Sequence, residues 1–175
     1  MPTLVKRIVA AFAKINLQLE ILVIDDNSPD GTAATAEALS PAYPVKVIKR
    51  FDRRSLGSAI VDGIISAQGK TICVIDADLS HPPEALPSMY KLIATGQAQM
   101  VVGSRRVAGG GTSDWIWYRK IIHWVAATLG SFLTPVKDLT SGFFMFDRQV
   151  VSGIELEPRS WKIGLEIMVK GRHKK

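Results

Sequence analysis

Five short apolar runs alternate with segments of helical periodicity, and this alternation is the feature that most constrains the fold. The runs cover residues 20–24, 45–48, 71–75, 99–102 and 143–146. Continuous apolar runs of this length are typical of strands that are covered on both faces. Strands that alternate with helices form a mostly parallel sheet with helices on both faces. The sequence therefore predicts an α/β fold.

The intervening segments carry signals that define the predicted helices. Apolar residues with helical spacing predict helices over 2–17, 56–67 and 115–133. A further helix is expected to start near Asp30 or Thr32, either of which suits an N-cap position. Prolines in the first turn predict another helix, over 82–95.

Length and composition limit the classes of protein to consider. The 175 residues suit a single domain over 1–175, with 47% hydrophobic and 22% charged residues, which excludes a disordered chain. The lone cysteine, Cys73, lies in an apolar run and is interpreted as a buried strand residue in a reducing compartment. No apolar stretch reaches the ~18 residues that span a bilayer, and no signal peptide is recognised. The net charge of +6 favours anionic partners.

Charged residues directly follow three of the predicted strands. Asp25 and Asp26 come after the first run, Asp76 and Asp78 after the third, and Arg105 after the fourth. In an open α/β sheet, ligands bind outside the carboxyl ends of the strands. We therefore expect these side chains to meet at one edge of the sheet and to form a ligand site there.

The segment Asp76-Ala77-Asp78 suits a divalent metal. Two carboxylates one residue apart can approach one hard cation, and Mg²⁺ is commonly held by one or two carboxylates together with substrate phosphates. Such a metal neutralises charge on a departing diphosphate. The alternative is a solvated acidic pair that caps the following helix.

The segment from Asp25 to Thr32 suits nucleoside recognition. A carboxylate here can accept hydrogen bonds from a base N–H or from a ribose hydroxyl. The alternative is an Asx turn with a helix cap, which accounts for Asp30. Capping does not explain both Asp25 and Asp26.

Two further features allow two interpretations each. The glycines at 109–111 indicate a mobile loop or a lid over the ligands. The aromatic stretch over 115–133 belongs to the core or rests in a membrane interface beside Arg119 and Lys120. His81 and His123 stand alone, and neither is predicted to bind a metal.

Taken together, these segments resemble the family 2 glycosyltransferases of the GT-A type, in particular the dolichyl- and polyprenyl-phosphate mannose synthases. The resemblance covers nearly the whole chain in family order. It rests on segments 25–32, 56–59, 76–84, 103–105, 109–111 with Trp115, 119–120, 138–143 and 164–167.

The resemblance implies donor-binding roles for six residues, namely Ile24, Asp26, Asp76, Ala77, Asp78 and Arg105. Ile24 and Asp26 would contact the nucleoside. Asp76, Ala77 and Asp78 would hold the sugar nucleotide, with Asp76 and Asp78 as ligands of Mg²⁺ or Mn²⁺.

It also implies a set of catalytic residues, namely Asp78, Arg105 and Arg119. Arg105 would lie near the donor diphosphate or the transferred sugar, and Arg119 would meet the acceptor phosphate. The sequence departs from some relatives at Ser80, where they have Gln, and at His123, where they have Ser.

The activity implied is a hexosyl transfer. Mannose would pass with inversion from GDP-mannose to a polyprenyl or dolichyl phosphate, whose dianion attacks without a general base. The enzyme would work in the cytoplasm at the membrane surface, with a membrane-anchoring partner. A polyprenyl-phosphate glucosyltransferase that uses UDP-glucose is the alternative.

Two family segments are not recognised in the chain, and their absence raises a second hypothesis. Relatives begin with a central strand that helps to bind the nucleotide, and they continue beyond Glu166 into a basic segment. The chain is therefore interpreted as incomplete at both ends, with a gap or an altered pairing in the sheet. It is either an active transferase or a truncated, inactive domain that binds nucleotide.

Two other classes of protein are disfavoured. A dinucleotide oxidoreductase would need a Gly-x-Gly-x-x-Gly turn after the first strand, and the sequence has none. Nucleic-acid binding is suggested by charge alone, without a recognition motif, and no nucleic-acid partner is expected.

Overall fold

The computed structural model describes residues 1–15, 17–52, 55–103, 141–159 and 162–172. Strands and helices alternate through most of this part of the chain. The strands are β1 (Ile21–Asp25), β2 (Val45–Lys49), β3 (Thr71–Val74), β4 (Met100–Val102) and β5 (Phe144–Asp147). The α-helices are α1 (Pro2–Phe12), α2 (Thr32–Glu37), α3 (Leu56–Ser66), α4 (Leu86–Ala94) and α5 (Ile163–Lys170), and Pro83–Ala85 and Arg148–Val151 are short 3-10 helices.

The predicted elements are present with shifted ends. Helix α1 ends at Phe12, five residues before the predicted end, and the stretch predicted over 82–95 divides into a 3-10 turn and α4. Pro87, near the start of α4, lacks the N–H that a continuous helix through 83–94 would use there. The N-cap of α2 is Gly31 rather than Asp30 or Thr32, although Asp30 Oδ1 accepts a hydrogen bond from Thr32 N–H at 2.9 Å. The helix predicted over 115–133 lies outside the described residues.

The strands form two sheets, and only one of them is parallel. β1 pairs in parallel with β2, from Ile21 opposite Val45 to Asp25 opposite Lys49. β5 lies between β3 and β4 and is antiparallel to both. The α/β class with a parallel sheet is confirmed, but the pairing is less parallel than predicted. The direction of β5 could not be read from its sequence, because a run buried on both faces looks the same in either direction.

Helices cover both faces of this arrangement, as predicted. On one face, α1 and α4 pack against Phe143 and Met145. On the other face, α3 and α5 pack against Phe144 and Phe146. Neighbouring side chains of a strand point to opposite faces of the sheet. Residues 143–146 are all apolar because each of them faces one of these two layers of helices. No helix within the described ranges is long and apolar enough to cross a bilayer.

The strands β1 and β3 are aligned at their N-terminal ends by one side chain. Glu20, just before β1, accepts hydrogen bonds from the backbone N–H groups of Gln68 and Gly69, the latter at 2.8 Å, just before β3. The two strands therefore begin at the same end of the molecule. Their acidic C-terminal residues accordingly lie toward the opposite end.

Candidate donor site at two acidic turns

The first acidic turn follows β1 and divides its two aspartates between different tasks. Asp25 is buried, and its Oδ2 accepts a hydrogen bond from Ser28 N–H at 2.9 Å. Asn27 adopts the left-handed conformation at φ +57°, a conformation that Asn tolerates better than most residues. Asp25 therefore shapes the turn, and Asp26 is left to interact elsewhere.

Asp26 forms an ion pair with a buried arginine that the sequence reasoning missed. Arg50 Nε donates to Asp26 Oδ1 at 2.6 Å, and Nη2 of the same guanidinium contacts that oxygen as well. Nη1 donates to Asp62 Oδ2 at 3.0 Å and to Ser58 Oγ at 2.8 Å, and Nη2 also donates to the carbonyl of Ser55. Arg50 thus joins the end of β1 to the start of α3.

The environment of Arg50 fixes the charge state of this cluster. Its side chain is only 6% exposed, whereas that of Asp26 is 31% exposed. Burial lowers the pKa of Arg50, but hydrogen bonds to Asp62 and Asp26 outweigh this and leave the pKa above its ordinary value. The guanidinium is therefore a permanent counter-charge for Asp26. The partly exposed Asp26 is held in place as a hydrogen-bond acceptor, which suits recognition of a nucleoside.

The second acidic turn follows β3 and is more open. Ala77 and Asp78 are exposed, and the Asp76 side chain is 41% exposed. Asp78 Oδ1 accepts from Ser80 N–H at 2.9 Å, and Leu79 is left-handed at φ +63°. The hydrogen bonding from Ser80 holds the pKa of Asp78 below its ordinary value. Asp78 is therefore an anion at neutral pH that needs no cationic neighbour to stay ionised.

Asp76 is surrounded by groups that restrict its position. A Cβ added at Gly142 would lie 2.8 Å from Asp76 Oδ2, so only glycine allows the backbone before β5 to approach so closely. His81 Nε2 lies 3.5 Å from the same oxygen. The buried His81 ring stacks on Phe143 with centroids 5.1 Å apart. These contacts leave Asp76 little freedom on the side of β5.

The structure brings some of the predicted site residues together. Ile24, Asp76 and Ala77 line one cavity of about 330 Å³ between β1 and β3. Asp26 and Asp78 lie on the turns beside it and are not among its lining residues. Arg105 and Arg119 lie outside the described residues. The described part of the predicted site is therefore two acidic turns next to one cavity.

The acidic residues of the second turn are chemically suited to a divalent ion. Asp76 and Asp78 supply hard oxygen donors, and no lysine or arginine within the described ranges is paired with either carboxylate. No group of three or more His, Cys, Asp or Glu side chains in those ranges is arranged to hold a metal. Two carboxylates completed by substrate phosphates are the usual arrangement for Mg²⁺. The residues therefore fit such an ion as a partial ligand set.

Two residues of the site had signals in the sequence that could have revealed them. Arg50 directly follows β2. Charged residues that directly follow strands are expected at the edge of the sheet where ligands bind, and this holds for Arg50 as well as for Asp26. His81 stands alone in the sequence, but the prolines after it place it in a tight turn beside the acidic pair. The contact between Gly142 and Asp76 links residues 66 positions apart, and no local pattern reveals it.

The fold matches glycosyltransferases of the GT-A type. A structure of glucosyl-3-phosphoglycerate synthase from Mycobacterium tuberculosis, in complex with Mn²⁺, UDP-glucose and phosphoglyceric acid, superposes with a TM-score of 0.68. It is 20% identical, and the match covers 93% of this chain and 58% of that one. A mannosyltransferase from Pyrobaculum calidifontis in complex with GDP-Man and Mn²⁺ matches with a TM-score of 0.63 and 16% identity, over 95% and 47% of the two chains.

Sequence comparison identifies the family. Residues 2–154 match the model of glycosyl transferase family 2, and the chain belongs to that family. It is similar to a dolichol-phosphate mannosyltransferase from Pyrococcus furiosus, with 44% identity over 163 residues, 91% of this chain and 46% of the relative. The chain spans about half the length of the curated relatives that it matches.

Proposed function

We propose that this chain carries the donor-binding part of a hexosyltransferase that moves mannose from GDP-mannose to a polyprenyl or dolichyl phosphate. The observation that carries the proposal is the open acidic turn at Asp76 and Asp78. It lies beside a second turn whose carboxylate, Asp26, is neutralised within the protein. Family membership and the similarity to a dolichol-phosphate mannosyltransferase support the choice of sugar and acceptor.

The two turns would bind different parts of the donor. Asp26, held by Arg50, accepts hydrogen bonds from the nucleoside, with Ile24 beside it. Asp76 and Asp78 hold Mg²⁺ or Mn²⁺, and Ala77 contacts the sugar nucleotide. When bound, the metal supplies positive charge that stabilises the departing diphosphate.

The transfer needs one bond to form and one to break. An oxygen of the acceptor phosphate attacks the anomeric carbon, and the bond from that carbon to the GDP oxygen breaks with inversion. The phosphate is mostly dianionic at neutral pH because its second pKa is about 6, so no protein base is assigned. Arg105 is proposed to stabilise the leaving diphosphate, and Arg119 to bind the acceptor phosphate.

The acceptor determines where the enzyme would work. A polyprenyl phosphate lies in a membrane, and the net charge of +6 favours an anionic lipid surface. We propose that the protein acts as a peripheral enzyme at the cytoplasmic face, with a membrane-anchoring partner. Cosedimentation with vesicles that contain polyprenyl phosphate tests this, and equal binding to neutral vesicles would contradict it.

Calorimetric titration tests the donor site. We expect GDP-mannose to bind in the presence of Mn²⁺, and we expect D76N and D78N to weaken this binding at least tenfold, equivalent to about 1.4 kcal/mol. D30N is the matched control, because Asp30 is also exposed and also accepts a backbone hydrogen bond in a turn, from Thr32. An equal loss in D30N would argue against a metal at Asp76 and Asp78. Tighter binding of UDP-glucose would favour the glucosyltransferase instead.

A second candidate function is nucleotide binding without transfer. The observation that favours it is the gap between β1 and β3. A sheet with such a gap can bind a ligand without holding the reacting groups in the geometry that transfer requires. Turnover of GDP-mannose with a polyprenyl phosphate separates the two candidates. Donor binding without release of GDP would favour the second.

A further inference from the structure

The Asp26 carboxylate presents one oxygen to Arg50 and the other to solvent. Nε of Arg50 donates to Oδ1 at 2.6 Å, and Nη2 of the same guanidinium also contacts Oδ1. A carboxylate oxygen has two lone pairs, so these two nitrogens occupy the accepting capacity of Oδ1. Oδ2 accepts no hydrogen bond from any residue of the described ranges, and the buried side-chain atom that lacks a partner in those ranges is Oε2 of Glu166. Oδ2 of Asp26 therefore reaches solvent and is the atom available to a ligand.

Arg50 is held in this position by contacts that do not involve Asp26. Nη1 donates to Asp62 Oδ2 at 3.0 Å and to Ser58 Oγ at 2.8 Å, and Nη2 donates to the Ser55 carbonyl at 3.2 Å. Ser55 and Ser58 are joined at the start of α3, where Ser55 Oγ accepts from Ser58 N–H at 3.1 Å. A guanidinium is planar and its N–H groups have a fixed geometry, so anchoring it to α3 also fixes the direction of the edge that meets Asp26. This edge therefore stays on Oδ1 when a ligand binds.

A nucleoside presents several of its hydrogen-bond donors as neighbouring pairs. The edge of guanine carries N1–H beside the 2-amino group, and the ribose carries neighbouring 2′- and 3′-hydroxyls. A carboxylate with both oxygens free accepts such a pair with one hydrogen bond to each oxygen, as it accepts the paired N–H groups of an arginine. Asp26 has only Oδ2 free, so it cannot bind either pair in this way.

We propose that Arg50 is a positioning residue that restricts Asp26 to a single acceptor atom, so that Asp26 recognises the nucleoside through one hydrogen-bond donor. The inference rests on the assignment of Asp26 to the nucleoside in the proposed function. The donor is one polar hydrogen, carried either by the base or by a ribose hydroxyl. Oδ2 accepts it, while Arg50 retains Oδ1 and balances the negative charge of the carboxylate.

Calorimetric titration with GDP and four analogues, in the presence of Mn²⁺, tests the number of donors. Each analogue lacks one donor group: inosine diphosphate lacks the 2-amino group, 1-methyl-GDP lacks N1–H, and 2′-deoxy-GDP and 3′-deoxy-GDP each lack a hydroxyl. All are measured in the unmodified chain and in Asp26→Asn. We expect one of the four groups to depend on Asp26. Its removal should weaken binding about tenfold or more in the unmodified chain and less than about threefold in the variant, since the hydrogen bond to a charged group is already lost there.

Two matched variants separate Asp26 from the rest of the cluster. Asp26→Asn keeps an amide oxygen for Arg50 but places an NH₂ group where Oδ2 was, so the donor of the ligand meets another donor. GDP binding should weaken about tenfold or more. Asp62→Asn is the control, because Asp62 pairs with the same guanidinium and is 30% exposed, against 31% for Asp26. It also keeps an oxygen for Arg50, and the GDP affinity should be unchanged.

Arg50→Lys tests the positioning role. A lysine ammonium keeps the charge but lacks the planar fork that occupies Oδ1. Both oxygens of Asp26 then become available, and we expect a second of the four groups, the neighbour of the first, to contribute about threefold or more to binding. A residue that acts only on folding would lower the affinity for GDP and for every analogue by the same factor. If Arg50→Lys does not fold, the analogues in the unmodified chain still decide how many donors Asp26 accepts.

Several outcomes would overturn the inference, and they differ from those that would overturn the proposed function. Dependence of two groups or of none on Asp26 would contradict a single donor, and equal losses for GDP and all analogues in Arg50→Lys would contradict the positioning role. If D76N still weakens GDP binding in that case, the proposed function stands. Binding of UDP but not GDP would contradict GDP-mannose as the donor, and 3-methyl-UDP with deoxy forms of UDP would then count the donors. Binding of neither nucleotide would overturn both.

Discussion

The two acidic turns have similar backbones but opposite electrostatic surroundings. Each follows a strand that runs toward the same end of the molecule, and each contains a left-handed residue, Asn27 or Leu79. The carboxylate of Asp26 is paired with a buried arginine, whereas Asp76 and Asp78 have no paired lysine or arginine within the described ranges. A carboxylate neutralised inside the protein serves as a fixed hydrogen-bond acceptor, and one without such a partner can attract an external cation.

Replacing the buried arginine should have the largest effect on stability. Arg50→Met removes the guanidinium that donates to Asp26 and Asp62. We expect a loss of about 3 kcal/mol in unfolding free energy, the low end for a broken buried pair, because both carboxylates remain partly exposed. Urea unfolding measures it. Lys49→Met is the control, since its ion pair with Glu37 is exposed and should contribute less than about 1 kcal/mol. If both variants lose the same unfolding free energy, the buried ion pair of Asp26 is no stronger than an exposed one, and the two turns do not differ in this respect.

The stability of the second turn should depend on the packing of the His81 ring rather than on a charge. His81→Ala removes the ring that stacks on Phe143, and we expect a loss of about 2 kcal/mol in unfolding free energy. His81→Phe keeps a ring in the same place and should lose less than half as much. If His81→Phe is as unstable as His81→Ala, the contact between the imidazole and Asp76 matters more than the stacking.

Two glycine substitutions should change the stability in opposite directions. Gly142→Ala places a methyl group against Asp76 and should cost about 1 kcal/mol, because the carboxylate must move. Gly63→Ala lies within α3, where the new methyl group meets Ile24 at 3.5 Å, an ordinary contact. It should therefore gain about 0.5 kcal/mol from helix propensity. Thermal unfolding measures both, and a loss at Gly63 would show that the β1 side is as tightly packed as the β5 side.

The smallest effect on stability is expected at the ion pair between α1 and the short 3-10 helix that follows the second turn. Arg7 donates two hydrogen bonds to Glu84, at 2.8 and 2.7 Å, and these lower the pKa of Glu84. A lowered folded-state pKa gives stability that is present above the unfolded pKa of about 4.3 and is lost as pH falls through the folded value.

The unfolding midpoints of the unmodified chain and of Glu84→Gln should therefore differ slightly at pH 6 and converge on acidification. In an Arg7→Gln background the difference should be absent at every pH. A difference that persists at low pH would show that Glu84 acts by packing rather than by its charge.

Much of the fold followed from the sequence because local patterns specify local elements. The runs at 20–24 and 71–75 gave β1 and β3 to within one residue at each end, since apolar runs end where charged residues begin. The antiparallel direction of β5 depends on a connection of about 40 residues, and α5 was not predicted. Both depend on contacts distant in the sequence.

The candidate site was predicted in part for the same reason. Asp26, Asp76 and Asp78 were assigned to it because they follow strands, and their roles stay predictions. The partner of Asp26 was missed because Arg50 looks like any basic residue until β2 is placed beside β1. The roles assigned to Arg105 and Arg119 rest on resemblance and remain predictions.

Glu20 has a mechanical consequence for the two turns. It ties β1 and β3 together at their N-terminal ends, while no strand among the described residues joins them further along. When two strands are held together at one end, a small change in the angle between them produces a larger displacement at their other ends. A change in the angle between β1 and β3 at Glu20 would therefore alter the distance between Asp26 and Asp76 more than the distance between the starts of the two strands.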